Sequence, residues 1–197
     1  MSTATLDLEM PTQTTTRTPV PAHYDRIVLT GFMGSGKTTV GKLLAESTGW
    51  KLVDLDREIE RRDGRSVPQI FAESGESAFR RAEAAALASV LGQRRVIIAL
   101  GGGAPEELGN RLLLEQTPRT AVVYLSADFA ELVARCRKEA EDPAAVARPV
   151  LADADVARER FARRKPHYER IADHVVETSS LTASQCVDAL LAKLPSK

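Results

Sequence analysis

The stretch Ile27-Val28-Leu29-Thr30-Gly31-Phe32-Met33-Gly34-Ser35-Gly36-Lys37-Thr38-Thr39 is an apolar run followed at once by the pattern GxxxxGK[ST]. Glycines at this spacing let the backbone curl so that successive N–H groups point inward at a polyphosphate. The lysine can then reach the outer phosphates and the hydroxyl that follows can hold Mg²⁺. Behind the run, Val40, Leu43 and Leu44 recur at helical spacing until Gly49 supplies a stop, so a helix N-terminus adds its positive end to the same point. Strand, loop and helix in this order read as a nucleoside-triphosphate site built from Gly34, Ser35, Gly36, Lys37, Thr38 and Thr39, with Thr38 toward the metal.

Working outward, short β-prone runs at 26–30, 51–54, 96–100, 121–125 and 174–178 alternate with helical patterns at 36–48, 77–91, 106–115, 128–139, 153–165 and 182–193. The alternation predicts a parallel sheet wrapped by helices. Val96-Ile97-Ile98-Ala99-Leu100 is apolar throughout, as a strand covered on both faces should be, and is expected at the sheet's centre. Two segments break the alternation. One is 55–82, expected as two or three short helical pieces separated by Gly64 and Gly75; the other is the polar, small-residue stretch 139–151. Open α/β sheets bind ligands beyond the carboxyl ends of their strands, and both segments are expected to begin from that edge. Residues 1–24 are rich in Thr and Pro without periodicity and are expected to form a disordered tail; Asp7 and Glu9 against Arg17 are unlike a transit peptide.

Lys plus Arg balance Asp plus Glu at 27 each, so no basic field argues for nucleic acid or an anionic membrane, and small molecules are the expected partners. No run approaches the roughly 18 apolar residues of a membrane span, which leads to the expectation of a soluble, cytoplasmic protein. Cys136 and Cys186 lack a CxxC companion and read as reduced thiols; His23, His167 and His174 are scattered and give no zinc spacing.

Four further features carry chemistry. Asp54-Leu55-Asp56 closes the second strand; on an extended chain both carboxylates project to one side, where one can serve Mg²⁺ and the other a hydroxyl, although acidic residues there can also cap a helix. Phe79-Arg80-Arg81 with Glu83 is by itself an ordinary charged helix face. Gly101-Gly102-Gly103 fits either a ligand approaching the backbone or a tight turn. Arg148-Pro149 lies in the irregular stretch, and Arg163-Arg164-Lys165-Pro166 is expected to end the next helix. A mobile Arg148 could stabilise a transferring phosphoryl group, while Arg80 and Arg164 could grip an anionic substrate by paired charge-assisted hydrogen bonds.

In order and spacing these motifs, together with Arg148-Pro149-Val150-Leu151 and Arg164-Lys165-Pro166-His167-Tyr168, resemble the shikimate kinase family across residues 25–197. The resemblance implies a P-loop, nucleoside-monophosphate-kinase-like α/β fold. Its three α/β/α layers would surround a five-stranded parallel sheet, with a substrate-binding segment at 55–82 and a lid at 139–151. Mg²⁺ would be the cofactor and ATP the co-substrate, and the protein would act as a monomer. Lys37 and Thr38 would serve the ATP phosphates and metal, and Asp54 would reach Mg²⁺. Asp56 would accept from shikimate hydroxyls as the candidate base. Arg80 and Arg164, aided by Gly102 and Gly103, would hold the carboxylate. Arg148 would descend on the phosphates, and Arg135 would flank adenine. Phe71 and Phe79 would wall the pocket, and Glu83 would orient an arginine. The family commonly has RPLL where this chain has Arg148-Pro149-Val150-Leu151, and the stretch before Arg148 is longer than the family's usual lid. The rivals are another small-metabolite kinase such as a gluconate kinase, and a kinase-like sensor without turnover; Lys37, both aspartates and Arg148, whose loss would mark the sensor, are all present.

Overall fold

A computed structural model describes residues 18–140 and 154–194. The strands are β1 (Arg26–Thr30), β2 (Lys51–Asp54), β3 (Val96–Ala99), β4 (Thr120–Ser126) and β5 (His174–Glu177). The helices are α1 (Lys37–Thr48), α2 (Leu55–Asp63), α3 (Val67–Leu91), α4 (Leu108–Gln116), α5 (Phe129–Ala140), α6 (Ala154–Ile171) and α7 (Ala183–Lys193), with a 3₁₀ turn at Ala104–Glu106. All strand pairs are parallel and the order is β2-β3-β1-β4-β5, an α/β fold.

The alternation of side chains along each strand divides the core. Val28, Val53, Ile98 and Val122 face a layer that includes α2, α3 and α4, through Ile59, Leu87 and Leu114. Ile27, Leu29, Ile97, Val123 and Leu125 face α1 and α7, through Leu44, Val187 and Leu190. A smaller cluster of Phe32, Tyr124, Leu132 and Tyr168 joins α5 and α6 to the phosphate loop. Apolar runs buried on both faces are the mark of inner strands, and β1 and β3 are both of this kind. The middle place belongs to β1, however, and β3 lies beside it. Arg26 at the start of β1 obscures an otherwise continuous apolar run, since its guanidinium reaches Pro118 O at 3.0 Å while its stem is buried.

Three other expectations change. Strand β2 stops at Asp54, whose Oδ1 accepts from Arg57 N and caps α2, so Asp56 sits in a helical first turn rather than on an extended chain. The helical pieces expected within 55–82 are present: Gly64 (φ 82°) ends α2, a capping box of Ser66 and Gln69 starts the next piece at Val67, and Gly75 (φ 78°) separates it from the helix expected over 77–91, so that α3 is two helices across a kink. Helix α6 runs through Pro166 to Ile171. Proline removes a backbone donor, but burial of Tyr168 and Ile171 and the Tyr168 hydroxyl's 2.6 Å hydrogen bond to Gly102 O hold the last turns in place. Residues 18–24, assigned to the tail on composition, pack on the domain instead: Thr18 N donates to Ser47 O at 2.8 Å, and Val20 and Tyr24 join the core beside α1.

Among the described residues no helix is long and apolar enough to cross a membrane, and no group of three or more His, Cys, Asp or Glu side chains could hold a metal. Cys136 and Cys186 are buried and are not joined in a disulfide.

Candidate active site

The phosphate loop leaves the middle strand at its carboxyl end and closes on α1. Gly34 takes φ 77°, and a Cβ there would lie 2.5 Å from Leu132 O and 2.7 Å from Cys136 Sγ, so α5 is packed directly beneath the curl. Helix α1 has no side-chain cap at Gly36, so its first N–H groups are free to meet an anion. Lys37 Nζ folds back and donates to Gly31 O and Phe32 O, each at 2.9 Å. Thr38 Oγ1 donates to Asp54 Oδ2 at 3.0 Å. That contact brings a hydroxyl and a carboxylate to one point beside the loop, a hard-oxygen pair suited to Mg²⁺ when phosphate oxygens and water complete the shell.

These residues line a cavity of about 560 Å³ with Gly34, Gly36, Thr39, Asp56, Gly101, Gly102 and Arg164. Ser35 does not line it: its hydroxyl is turned under the loop toward Gly31. A second cavity of about 280 Å³ is lined by Phe71, Glu76, Arg80, Glu106, Glu107, Arg160, Arg163 and Arg164, so that Arg160 and Arg164 face both spaces.

The three glycines after β3 explain how these parts come together. A Cβ on Gly101 would lie 2.7 Å from Asp56 Oδ1, and one on Gly103 would lie 3.0 Å from Arg80 Nη2 and 3.0 Å from Arg164 Nη2. Neither residue needs positive φ, so close approach, not turn geometry, demands glycine here. The two guanidinium groups converge on Gly103 from α3 and α6. Tyr168 anchors α6 to Gly102 one turn after Arg164.

Each arginine is held from behind by carboxylates. Arg80 Nη1 donates to Glu83 Oε2 at 2.9 Å, and its other nitrogens reach Glu76 at 3.0 Å and Glu107 at 3.5 Å. Glu83 is 1% exposed; Asn110 donates to the same oxygen at 3.4 Å, while Oε1 has no partner. Burial raises the Glu83 pKa and Arg80 opposes the rise, the balance expected of a desolvated ion pair. Glu106 binds Arg164 Nε at 2.7 Å and Arg163 Nε at 2.8 Å; burial works against its charge, but Arg164 and Arg163 keep its pKa below the ordinary value. The Asp56 pKa is raised, chiefly by burial and then by Asp54, with Lys37 opposing. A more basic carboxylate on a cavity wall suits proton acceptance.

The structure therefore brings together Gly34, Gly36, Lys37, Thr38, Thr39, Asp54, Asp56, Gly102 and Arg164 around one cavity, with Arg80 and Gly103 at its junction with the second. Arg135 lines neither cavity: it clips α5 to the turn after β5 through Thr178 O at 2.6 Å and Thr178 Oγ1 at 3.0 Å, and pairs with Glu131 of its own helix at 2.9 Å. Phe71 and Phe79 stack at 4.6 Å, and of the two only Phe71 lines a cavity, the second. Arg148, and nearly all of the expected lid, lie outside the described residues. Glu106, Asn110 and Arg160 carry no motif and escaped sequence reading, and Tyr168 stood in the Arg164–Tyr168 motif without a role of its own; the signal for Arg160 was its place one helical turn before Arg164.

Known proteins resemble this chain in sequence and in fold. A profile described as shikimate kinase matches residues 33–195. The shikimate kinase of Bordetella pertussis is 42% identical over 175 residues, covering 87% of this chain and 79% of the relative. The structure titled as shikimate kinase from Acinetobacter baumannii in complex with shikimate superposes with a TM-score of 0.75 at 33% identity, over 87% of this chain and 96% of that one. A gluconokinase from Sinorhizobium meliloti shares the fold (TM-score 0.60, 87% and 92% coverage) at 19% identity. With a matching profile over most of its length and a curated relative at 42% identity, the chain belongs to the shikimate kinase family.

Proposed function

We propose that this ATP-dependent kinase phosphorylates shikimate by direct in-line transfer of the γ-phosphoryl group to the 3-hydroxyl, giving shikimate 3-phosphate and ADP. The observation that carries the reading is the convergence of Arg80 and Arg164 at Gly103, with Asp56 set between that grip and the phosphate loop. A carboxylate held there places the ring hydroxyls toward Asp56 and the triphosphate.

In this reading the amides from Gly34 to Thr39 and Lys37 cradle the phosphates, and Thr38 and Asp54 hold Mg²⁺. The metal neutralises phosphate charge when bound. Asp56 accepts the proton of the attacked hydroxyl. Arg80, Arg164 and the backbone at Gly102 and Gly103 fix the acceptor. Arg135 supports the adenine end. Arg148 closes with the lid and shares the charge of a loose transition state, for which positioning and electrostatics supply most of the catalysis. Lid closure excludes water that would otherwise accept the phosphoryl group. The enzyme acts in this reading as a cytoplasmic monomer, which sedimentation and cell fractionation check.

Coupled ADP release with shikimate, gluconate and nucleoside monophosphates as acceptors tests the assignment. Shikimate should exceed the others by orders of magnitude; equal use of gluconate, or no turnover of any acceptor, contradicts it. The Arg148→Ala variant should lose most turnover while shikimate binding, read by calorimetry, survives.

A further inference from the structure

We infer that Arg160 is a third acceptor-binding arginine, supplying the positive charge that balances the acceptor's carboxylate. The inference rests on the reaction proposed above. Arg160 lies on the inward face of α6, between buried Ala157 and buried Arg164, and is itself half-buried. It lines both cavities.

The charges around the second cavity make it distinctive. Arg80 is matched by Glu83, Glu76 and Glu107, and a single carboxylate, that of Glu106, serves both Arg163 and Arg164. Arg160, by contrast, forms no ion pair or hydrogen bond among the described residues. A half-buried guanidinium that faces two cavities and has no carboxylate partner among the described residues is electrostatically incomplete, and a monoanionic acceptor completes it. The paired arginines then provide geometry, since Glu83 and Glu106 hold them in place, while Arg160 provides a charge that no carboxylate among the described residues engages. A carboxylate at the junction meets Arg164 from one helical turn and Arg160 from the turn before.

Steady-state kinetics of Arg160→Ala, Arg160→Gln and Arg160→Lys test this. Loss of the charge in the alanine and glutamine variants should raise the shikimate KM at least tenfold with kcat and the ATP KM within threefold, and lysine should recover most of the loss. The carboxamide analogue of shikimate, which has no negative charge, should discriminate in the same way: replacing acid by amide should cost the wild type at least five times more in kcat/KM than it costs Arg160→Ala. A shikimate KM within twofold of wild type in both neutral variants overturns the assignment. So does a fall in kcat at constant KM, which would place Arg160 on the transferring phosphoryl group instead. Wild-type turnover of shikimate is read in the same assay, so failure of the reaction itself is distinguished from failure of Arg160's role.

Discussion

Replacing Gly101 with alanine perturbs the site at the atom on which the proposed chemistry turns. Gly101 is not a positive-φ residue, so alanine can keep the backbone. Its Cβ, however, would lie 2.7 Å from Asp56 Oδ1, 3.4 Å from Asp56 Cγ and 3.4 Å from Glu83 Oε1. Restoring ordinary contact requires the Asp56 carboxylate to retreat by roughly 0.7 Å, or the turn to move as far. Misplacing a catalytic group by about 1 Å can cost on the order of 10²-fold in rate, near 2.7 kcal/mol of barrier. A shortfall somewhat smaller than that gives an expected kcat loss of roughly 10- to 100-fold for Gly101→Ala. Asp56 is the end of a short side chain in a first helical turn and can yield, so the fold should lose about 1 kcal/mol or less and the melting temperature about 4 °C at most. Coupled ADP release reads kcat, and a thermal melt reads the fold. A well-folded variant with kcat within threefold of wild type would refute the idea that this wall holds Asp56 at the reacting hydroxyl.

Arg164→Ala removes a charge-assisted contact worth roughly 1.5–3 kcal/mol, so the shikimate KM should rise at least tenfold with the ATP KM unchanged; the opposite pattern removes Arg164 from the carboxylate grip. Arg80→Ala strands Glu83, 1% exposed, and should cost about 3 kcal/mol of stability. Burial then raises the Glu83 pKa without opposition, so the variant binds a proton that the unfolded chain releases near 4.5, and its stability should fall as pH rises from there through the raised folded value. Melts across that range check this, and a loss that does not vary with pH counts against it. Gly34→Ala combines an unfavourable φ of 77° with a Cβ 2.5 Å from Leu132 O, and calorimetry should show ATP binding all but abolished. The acid limb of kcat/KM should fall at a pKa above the ordinary 3.8 of an aspartate, because Asp56 must be ionised to accept a proton and burial raises its pKa. A limb at or below 3.8 shifts the base elsewhere.

The phosphate loop was legible because strand, curl and helix impose local spacing that a sequence must display. The five strands were legible for the same reason, as was the break at Gly75. Strand order was not: β1 and β3 are equally buried, and nothing local ranks one apolar run above another. The extent of α6 was misread because Pro166 signals a stop that burial of Tyr168 and Ile171 overrides, a tertiary effect. Asp56 was placed on the right wall for the wrong local reason, since Asp54 caps a helix that carries Asp56 inward. Glu106, Asn110 and Arg160 could not be found from motifs, because their significance depends on which side chains from other elements face them.

The two hydrogen bonds from Lys37 to Gly31 O and Phe32 O give the nucleotide loop an internal strut. A curl braced by its own ammonium group has little left to order when a triphosphate arrives, so the entropic cost of shaping it is met during folding and does not weaken affinity. The brace also means that a Lys37→Met variant would lose nucleotide for two reasons at once, a slackened loop and a missing cation. Hydrogen exchange at the Gly34–Thr38 amides in nucleotide-free protein reads the first apart from the second, since only slackening speeds exchange before any ligand is present.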